Sequence, residues 1–476
     1  MDVGSRPPCA AARLRSGSLT RLCSAAQRHN QPQTTTGRPR DPDKFISGLD
    51  PNHGAGRNLN HYSFGLVMNA SVNVISIPGR FAVVVVMLIS TLSSFATALD
   101  DEHELASANT GFAFKLLKQL AKDQPAKNIF ISPFGISTVL QMAGNGAGGQ
   151  TKTEMQQVLG TTGLAQDSKN AAIQHINLFL NANTNNILTI ANAIWYQKGI
   201  PAKPDFISCN QQFFQATVDA LDFTNAHSVD IINSWASEKT HGKITHIADG
   251  MIFPPPDLFL ANAVYFKGKW EDPFDRGNTK DKAFHLRNGS QKQVSMMQKS
   301  RKFTYRQGTG YQAVRLPYEG WSLSMYVFLP DPGSSPEKLV GIMTGDKWES
   351  VTRPGFEDRD GTVVLPKFKL EYGVELEKPL KALGMNLAFN PSGAADFLGI
   401  SSRPVYISAV RQRTIVEVGE EGTEAVAVTG MTVPMSSAPE PTPPPPFKMI
   451  VDRPFLFLIA DERTGTILFM GIIFEP

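Results

Sequence analysis

Apolar positions follow a helical period in the first half of the chain after its N-terminal segment. Residues 104–122 place apolar side chains at intervals of three and four, which predicts an amphipathic helix. The segment NIFISP at 128–133 is strand-like, and residues 137–143 continue with helical spacing. This half of the chain is therefore predicted to be mainly helical.

Apolar runs of strand length dominate the second half of the chain. Buried strands are predicted at 187–196, 258–266 and 322–329. The C-terminal segment PFLFLIADERTGTILFMGIIFEP predicts two further buried strands joined by a turn at 461–464. Helices before strands indicate an α+β fold with mostly antiparallel sheets.

The N-terminal 67 residues lack this patterning. Residues 1–67 are rich in Arg, Pro, Ser, Thr, Asn and Gly, which predicts a disordered extension or an upstream stretch from a mis-assigned start codon. An alternative is organelle targeting, because the first 40 residues are rich in Arg and nearly free of acidic residues.

The next segment has the three parts of a secretory signal peptide. Arg80 precedes the apolar run FAVVVVMLI, and Ala96-Thr97-Ala98 follows as a cleavage pattern of small side chains. Residues 68–98 are therefore predicted to be a signal peptide and 99–476 a single secreted, extracellular domain. A membrane anchor and a buried strand are the alternatives. The sequon at Asn288 predicts a surface glycan.

Composition and charge exclude several function classes. The 476 residues carry a net charge of +3 and no basic stripe, so no nucleic-acid partner is predicted. The cysteines Cys9, Cys23 and Cys209 form no CxxC pair, and the nine histidines are scattered, so we expect no metal and no cofactor. Persuasive motifs for a catalytic Ser or Cys are absent from the sequence. After signal cleavage no membrane contact is expected.

One segment, GEEGTEAVAVTGMTVPMSSAPEPTPPPP at 419–446, combines two opposite patterns. Its first part alternates small and apolar residues like a strand, and its second part is a proline tract that a sheet interior excludes. Gly422 lies where the chain pivots. Both patterns fit a loop that has an exposed state and a state inserted into a sheet. An edge strand followed by a proline-rich loop is the alternative.

At the level of these motifs, the chain resembles the serpin family over residues 102–476. The matching segments follow the family order: NIFISP (128–133), AGNGAGGQTKTEMQQVLG (143–160), INSWASEKTHGKI (232–244), NAVYFKGKWEDPFD (262–275), EVGEEGTEAVAVT (417–429), DRPFLFLI (452–459) and GTILFMGII (465–473).

The resemblance implies a serpin fold with three β-sheets, about nine helices and an exposed reactive-centre loop at about 420–447. It also implies a suicide inhibitor and not an enzyme: a serine protease, or alternatively a cysteine protease, cleaves the loop and is trapped as a covalent acyl complex when the loop inserts into the main sheet. A monomer is expected. The alternative is a non-inhibitory serpin-fold protein that acts in binding or as a chaperone.

The resemblance also assigns a hinge and a scissile bond in this loop. The reactive bond is Met435-Ser436, or alternatively Ser436-Ser437, and either suits an elastase-, chymotrypsin- or subtilisin-like pocket. Small uncharged hinge residues permit insertion. The hinge consists of Glu420, Glu421, Gly422, Thr423, Glu424, Ala425, Val426, Ala427 and Val428.

A second set of residues lies, by resemblance, beneath and at the top of the main sheet. Gly135 stands where the family usually has serine, and Gln412 where it usually has histidine, so a rewired hydrogen-bond network is expected. The predicted set is Asn128, Ser132, Gly135, Asn262, Trp270 and Gln412.

Overall fold

Local signals in the sequence determine where several helices begin. Ser132 caps the helix that starts at Pro133, where its side chain accepts a hydrogen bond from the backbone N–H of Gly135. Ser335 and Pro336 repeat this arrangement further along the chain. In the computed structural model the helices are α1 (Gly79–Asp123), α2 (Pro133–Gly144), α3 (Gly149–Leu159), α4 (Gln166–Ala182), α5 (Pro204–Phe214), α6 (Ser228–Lys239), α7 (Pro336–Ile342) and α8 (Glu377–Ala382).

The structure describes residues 79–182, 186–250, 254–345, 348, 355–422 and 444–476, with side chains from residue 99 onward. The larger of two compact units contains Ser94–Pro476, and the sites below lie in it. Its strands are β1 (Ile129–Ile131), β2 (Ile187–Gln197), β3 (Thr217–Leu221), β4 (Leu258–Lys267), β5 (Lys280–His285), β6 (Gln291–Gly308), β7 (Tyr311–Pro317), β8 (Leu323–Pro330), β9 (Glu357–Pro366), β10 (Phe368–Glu375), β11 (Ile407–Val418), β12 (Phe447–Ile450), β13 (Phe455–Asp461) and β14 (Ile467–Ile473).

Five strands form one sheet in the order β10-β11-β4-β2-β3. The pairs β10·β11 and β4·β2 are antiparallel, whereas β11·β4 and β2·β3 are parallel. On one face, Trp235 of α6 packs edge-on against Trp195 of β2 with ring centroids 5.0 Å apart. The sheet therefore has one side covered by α6 and its following segment.

The remaining strands form a second hydrogen-bonded path, β1-β14-β13-β8-β7-β6-β9-β12, with β5 paired to β6. β6 is 18 residues long and pairs with β5, β7 and β9, so it links all of these strands into one hydrogen-bonded path. The predicted α+β serpin fold is confirmed, but within the described residues the sheets number two and the α-helices eight.

The helix α2 is buried along its entire length. It contacts β2 and β4 of the five-stranded sheet and β14 of the other sheet. A helix that is buried on all sides must be surrounded by other elements, and α2 is in contact with both sheets. Phe130, just before it, stacks on Phe457 and Phe469 at centroid distances of 5.6 and 5.3 Å.

The predicted boundary after Ala98 falls inside a helix. α1 runs continuously from Gly79 to Asp123, so residues 79–98 of the predicted signal segment and the helix predicted at 104–122 belong to one element. Across the described residues, none of the helices carries an apolar stretch that would cross a bilayer.

Candidate functional site

The strand β11 leads directly into the predicted hinge. Its residues pair in parallel with β4 over a long register that includes Val410 with Leu260 and Val416 with Phe266. The chain then turns at Gly419, which forms an isolated bridge with Gly422. The junction between β11 and β4 is therefore the central element of the candidate site.

Three of the predicted residues meet beneath this junction. Gln412 Nε2 donates to Asn262 Oδ1 at 2.5 Å and to the Ser132 carbonyl at 2.9 Å. The Ser132 backbone N–H donates to Gln412 Oε1 at 2.9 Å. All three residues are buried. Gln412 thus connects β11, β4 and the start of α2 through neutral groups.

Gly135 belongs to the same cluster because its missing side chain leaves room for Asn262. A Cβ at position 135 would overlap the Asn262 side-chain oxygen and lie 2.8 Å from Asn262 Cγ. A serine, the usual family residue here, does not fit this arrangement without movement of Asn262. Glycine at 135 therefore permits the position that Asn262 takes to meet Gln412.

Asn192 completes the network, and the sequence-based prediction missed it. Asn262 Nδ2 donates to Asn192 Oδ1 at 2.7 Å, and the two residues are directly opposed in the β2·β4 register. The sequence did contain a signal for Asn192, because both strands carry the tripeptide Ala-Asn-Ala within an otherwise apolar run. A buried asparagine requires hydrogen-bond partners, and each supplies one for the other.

Asn128 lies apart from these residues. Its Oδ1 accepts from the backbone N–H groups of Phe474 and Glu475 at 2.7 and 3.0 Å, and its Nδ2 donates to the Glu475 carbonyl. Asn128 therefore binds the C-terminal residues beside β1, and its side-chain hydrogen bonds go to Phe474 and Glu475 and not to Gln412 or Asn262.

At the top of the sheet, the predicted Trp270 lies against the hinge turn. Trp270 Nε1 donates to the Gly419 carbonyl at 2.9 Å, and the Trp270 backbone N–H donates to the Glu421 carbonyl at 3.2 Å. Gly422 has φ +74°, and a Cβ there would lie 2.5 Å from Lys269 Cα and still closer to the backbone of Trp270. Only glycine suits this close approach.

Glu420 is a buried carboxylate with several partners. Its Oε2 lies 2.9 Å from Lys367 Nζ, and its Oε1 accepts from Thr279 Oγ1 at 2.8 Å. Burial opposes its ionisation, but the hydrogen bonds from Lys367, its own backbone amide and Thr279 outweigh burial and lower the pKa of Glu420. The carboxylate is therefore held in its charged form.

The neighbouring Glu421 forms an ion pair with Arg276. Arg276 begins a short 3₁₀ turn and Thr279 follows it, so a single surface segment contacts both hinge carboxylates. The sequence-based prediction found Glu420 and Glu421 but missed Lys367, Arg276 and Thr279. No local pattern marks these three, because they are distant from the hinge in sequence.

The rest of the predicted loop lies outside the described residues. This applies to the second part of the hinge and to both candidate scissile bonds: Thr423, Glu424, Ala425, Val426, Ala427, Val428, Met435, Ser436 and Ser437. Among the residues that are described, no group of three or more His, Cys, Asp or Glu is placed to hold a metal ion.

The fold and this junction define the class of protein: the chain belongs to the serpin family. The family model described as "Serpin (serine protease inhibitor)" matches residues 107–476.

Individual relatives are similar along most of the chain. A leukocyte elastase inhibitor of Bos taurus is 36% identical over 79% of this chain and 100% of its own length. Serpin B6 of Pongo abelii is 37% identical over 78% of this chain and 99% of its own. The crystal structure of native protease nexin-1 with heparin is 30% identical, with a TM-score of 0.70, over 79% of this chain and 100% of that one. The family model is described as a serine protease inhibitor and the Bos taurus relative is named an elastase inhibitor, which agrees with the prediction of an inhibitor and not an enzyme.

The comparisons contradict the predicted secretion. The similar leukocyte elastase inhibitor and serpin B6 are intracellular serpins, so the extracellular localisation inferred from residues 79–98 is wrong. The apolar run that led to the prediction lies in α1. The predicted glycan at Asn288 depended on secretion and loses its basis.

Proposed function

We propose that this protein is a suicide inhibitor of serine proteases with elastase-, chymotrypsin- or subtilisin-like pockets. The protease cleaves the loop at Met435-Ser436, or alternatively at Ser436-Ser437. The segment from Gly422 to the cleaved bond then inserts between β11 and β4, and the acyl-enzyme is trapped before hydrolysis. A cysteine protease is an alternative target, and the inhibitor acts as a monomer.

The observation that carries this proposal is the parallel pairing of β11 with β4. A chain that leaves β11 and reverses at Gly419–Gly422 runs antiparallel to β11, and therefore also antiparallel to β4. Insertion replaces one parallel ladder by two antiparallel ladders, which are slightly more stable per residue. Each added backbone hydrogen bond contributes about 0.5–1.5 kcal/mol net.

The sequence of the loop supports the same step. Thr423, Ala425, Ala427, Thr429, Met431 and Val433 alternate as one uncharged face of a strand. The prolines that follow lack the N–H that a central strand needs, so they remain on the leaving side of the cut. An uncharged Met or Ser before the scissile bond suits an apolar pocket better than one that binds Arg or Lys.

The test is incubation with pancreatic elastase, chymotrypsin, subtilisin and trypsin, followed by denaturing gels. We expect a covalent complex that survives SDS with at least one of the first three and none with trypsin. Papain in a parallel reaction tests the alternative target class. Mass spectrometry of the released peptide distinguishes residues 436–476 from 437–476.

A matched pair of variants separates insertion from recognition. Thr423→Arg places a charge in the inserting segment, and we expect loop cleavage without a complex. Thr442→Arg makes the same change on the proline side, and the complex is expected to persist. Loop cleavage without any complex in the wild type, and without a gain in melting temperature, would support the non-inhibitory alternative.

A further inference from the structure

The β7–β8 hairpin presents a tryptophan in a conformation that costs stability. Trp321 has φ +59°, in the left-handed region that is unfavourable for a bulky side chain. Its side chain is 53% exposed, so burial offsets only part of this cost. Glycine or asparagine adopts such a turn with less strain. Folding therefore does not account for tryptophan at position 321.

The hairpin that carries Trp321 is fixed to the segment Lys269–Glu271. The Glu319 backbone N–H donates to the Lys269 carbonyl at 2.7 Å, and the Gly320 N–H donates to Glu271 Oε2 at 3.1 Å. Asn186 bridges the two segments, because it donates to the Glu319 carbonyl and accepts from the Lys269 N–H. The indole is thus held on a braced turn, as a binding residue requires.

The same segment also holds the start of the reactive loop. Gly422 packs against Lys269 and Trp270, and Trp270 stacks on Tyr318 of the hairpin with ring centroids 4.5 Å apart. Trp321 is only two residues beyond Glu319, so the indole and the loop's origin lie at one end of the molecule.

A second exposed apolar side chain lies beside this turn. Ile187 follows Asn186, the residue that bridges to Glu319, and is 51% exposed. The carboxylates of Glu271 and Glu319 lie on the same two segments. We call Trp321, Ile187, Glu271 and Glu319 the Trp321 patch. An exposed aromatic residue with a polar rim has the composition of a binding hot spot.

We propose that the Trp321 patch is a secondary docking surface for the target protease, on which an apolar protease surface with basic residues at its edge rests while the loop occupies the active site. The inference rests on the proposed function. The protease is favoured over a second copy of this chain because the patch and the loop's origin share the segment 269–271. The patch acts in the encounter and not in the later insertion.

The experiment compares wild type with Trp321→Gly and Trp321→Asn, both of which suit a left-handed turn. We expect the second-order rate of inhibition to fall about tenfold, which corresponds to about 1.4 kcal/mol and lies in the range of interface truncations that cost more than 1 kcal/mol. Stoichiometry and the SDS-stable complex should be unchanged, and the melting temperature should rise by about 1–3 °C as strain is released. Leu398→Ala, at a 56% exposed residue outside the patch, is the control and should match wild type.

A second measurement keeps the two proposals distinguishable. The kcat/KM for cleavage of the loop reports the encounter even when no complex is trapped, so it should fall in both Trp321 variants whatever the fate of the acyl-enzyme. In the wild type, the second-order rate of inhibition should fall as salt is added. In Glu319→Gln this dependence on salt should be weaker, because one carboxylate of the patch is removed.

Three results would overturn the docking surface. The first is that both Trp321 variants inhibit the protease, and are cleaved in the loop, at the wild-type rate. The second is that the rate changes together with the stoichiometry. The third is that the wild type forms dimers that Trp321→Gly abolishes. Absence of any wild-type complex, by contrast, contradicts the proposed function alone.

Discussion

The middle and the top of the five-stranded sheet hold β11 by different chemistry. In the middle, Gln412, Asn262 and Ser132 share hydrogen bonds between neutral buried groups. At the top, the buried carboxylate of Glu420 pairs with Lys367, and Glu421 pairs with the exposed Arg276. Hydrogen bonds between neutral buried groups are insensitive to pH and salt but costly to lose, whereas ion pairs depend on pH, and those of exposed side chains such as Arg276 are also screened by salt and contribute little. The contacts in the middle of β11 should therefore be independent of pH and salt, whereas the contacts at its C-terminal end should weaken as pH or salt changes.

The largest effect is expected when the central network loses Gln412. Gln412→Ala removes three hydrogen bonds, leaves the Ser132 N–H unpaired and creates a cavity. We expect a loss of about 3 kcal/mol in the free energy of unfolding, measured as a lower urea midpoint. Gln298→Ala, at a half-buried position on β6, is the control and should change it by less than about 0.5 kcal/mol. Equal midpoints for the two variants would refute the central role of Gln412.

The space at Gly135 provides the next largest test of the same region. In Gly135→Ala the new methyl group overlaps Asn262, and we expect destabilisation of about 2 kcal/mol. Gly144→Ala lies in the same helix, where a Cβ would meet nothing nearer than 3.8 Å, and should be neutral or stabilising by up to about 1 kcal/mol. Thermal unfolding of both variants measures the difference; similar values would mean that Asn262 moves freely.

The pH dependence of the top region should separate it from the middle. The pKa of Glu420 is lowered in the folded protein, so its stabilising contribution is complete above the ordinary value of 4.5 and is lost as pH falls through the folded-state value. Glu420→Gln should therefore be less stable than wild type at pH 7, by about 1.5 kcal/mol. This gap should close as pH falls below 4.5. A gap that stays constant down to pH 3 would show that the charge of Glu420 is not involved.

The smallest effect is expected for the Arg276 ion pair. Arg276 is largely exposed, so Arg276→Ala should cost only about 0.5 kcal/mol in low salt and less in high salt. Denaturant melts at two salt concentrations measure this difference. Arg287→Ala removes a comparable exposed pair with Glu337, remote from the hinge in sequence, and should leave the rate of complex formation unchanged.

The sequence predicted those parts of the site that depend on local pattern. The buried strands β2 and β4 were visible as apolar runs, and the glycine at 422 as a pivot. β6 was not predicted, because its 18 residues mix charged and apolar side chains without a clear period. The partners of Glu420 were not predicted either, because Lys367 and Thr279 are distant in sequence and contact it only in the tertiary fold. The conformation of Trp321 was not predicted, because tryptophan rarely adopts a positive φ.

The long strand β6 has a consequence for amide hydrogen exchange. Around Thr304 and Tyr305 it pairs with β7 on one side and β9 on the other, so each amide in this stretch faces a paired neighbouring strand and not an open sheet edge. Its exchange should report the global opening of the molecule. The backbone N–H of Gly422 is bonded only across a four-residue turn and should exchange by local opening. Among the described residues, the amides of central β6 and of Gly422 are therefore expected to exchange by different routes, one slow and one fast.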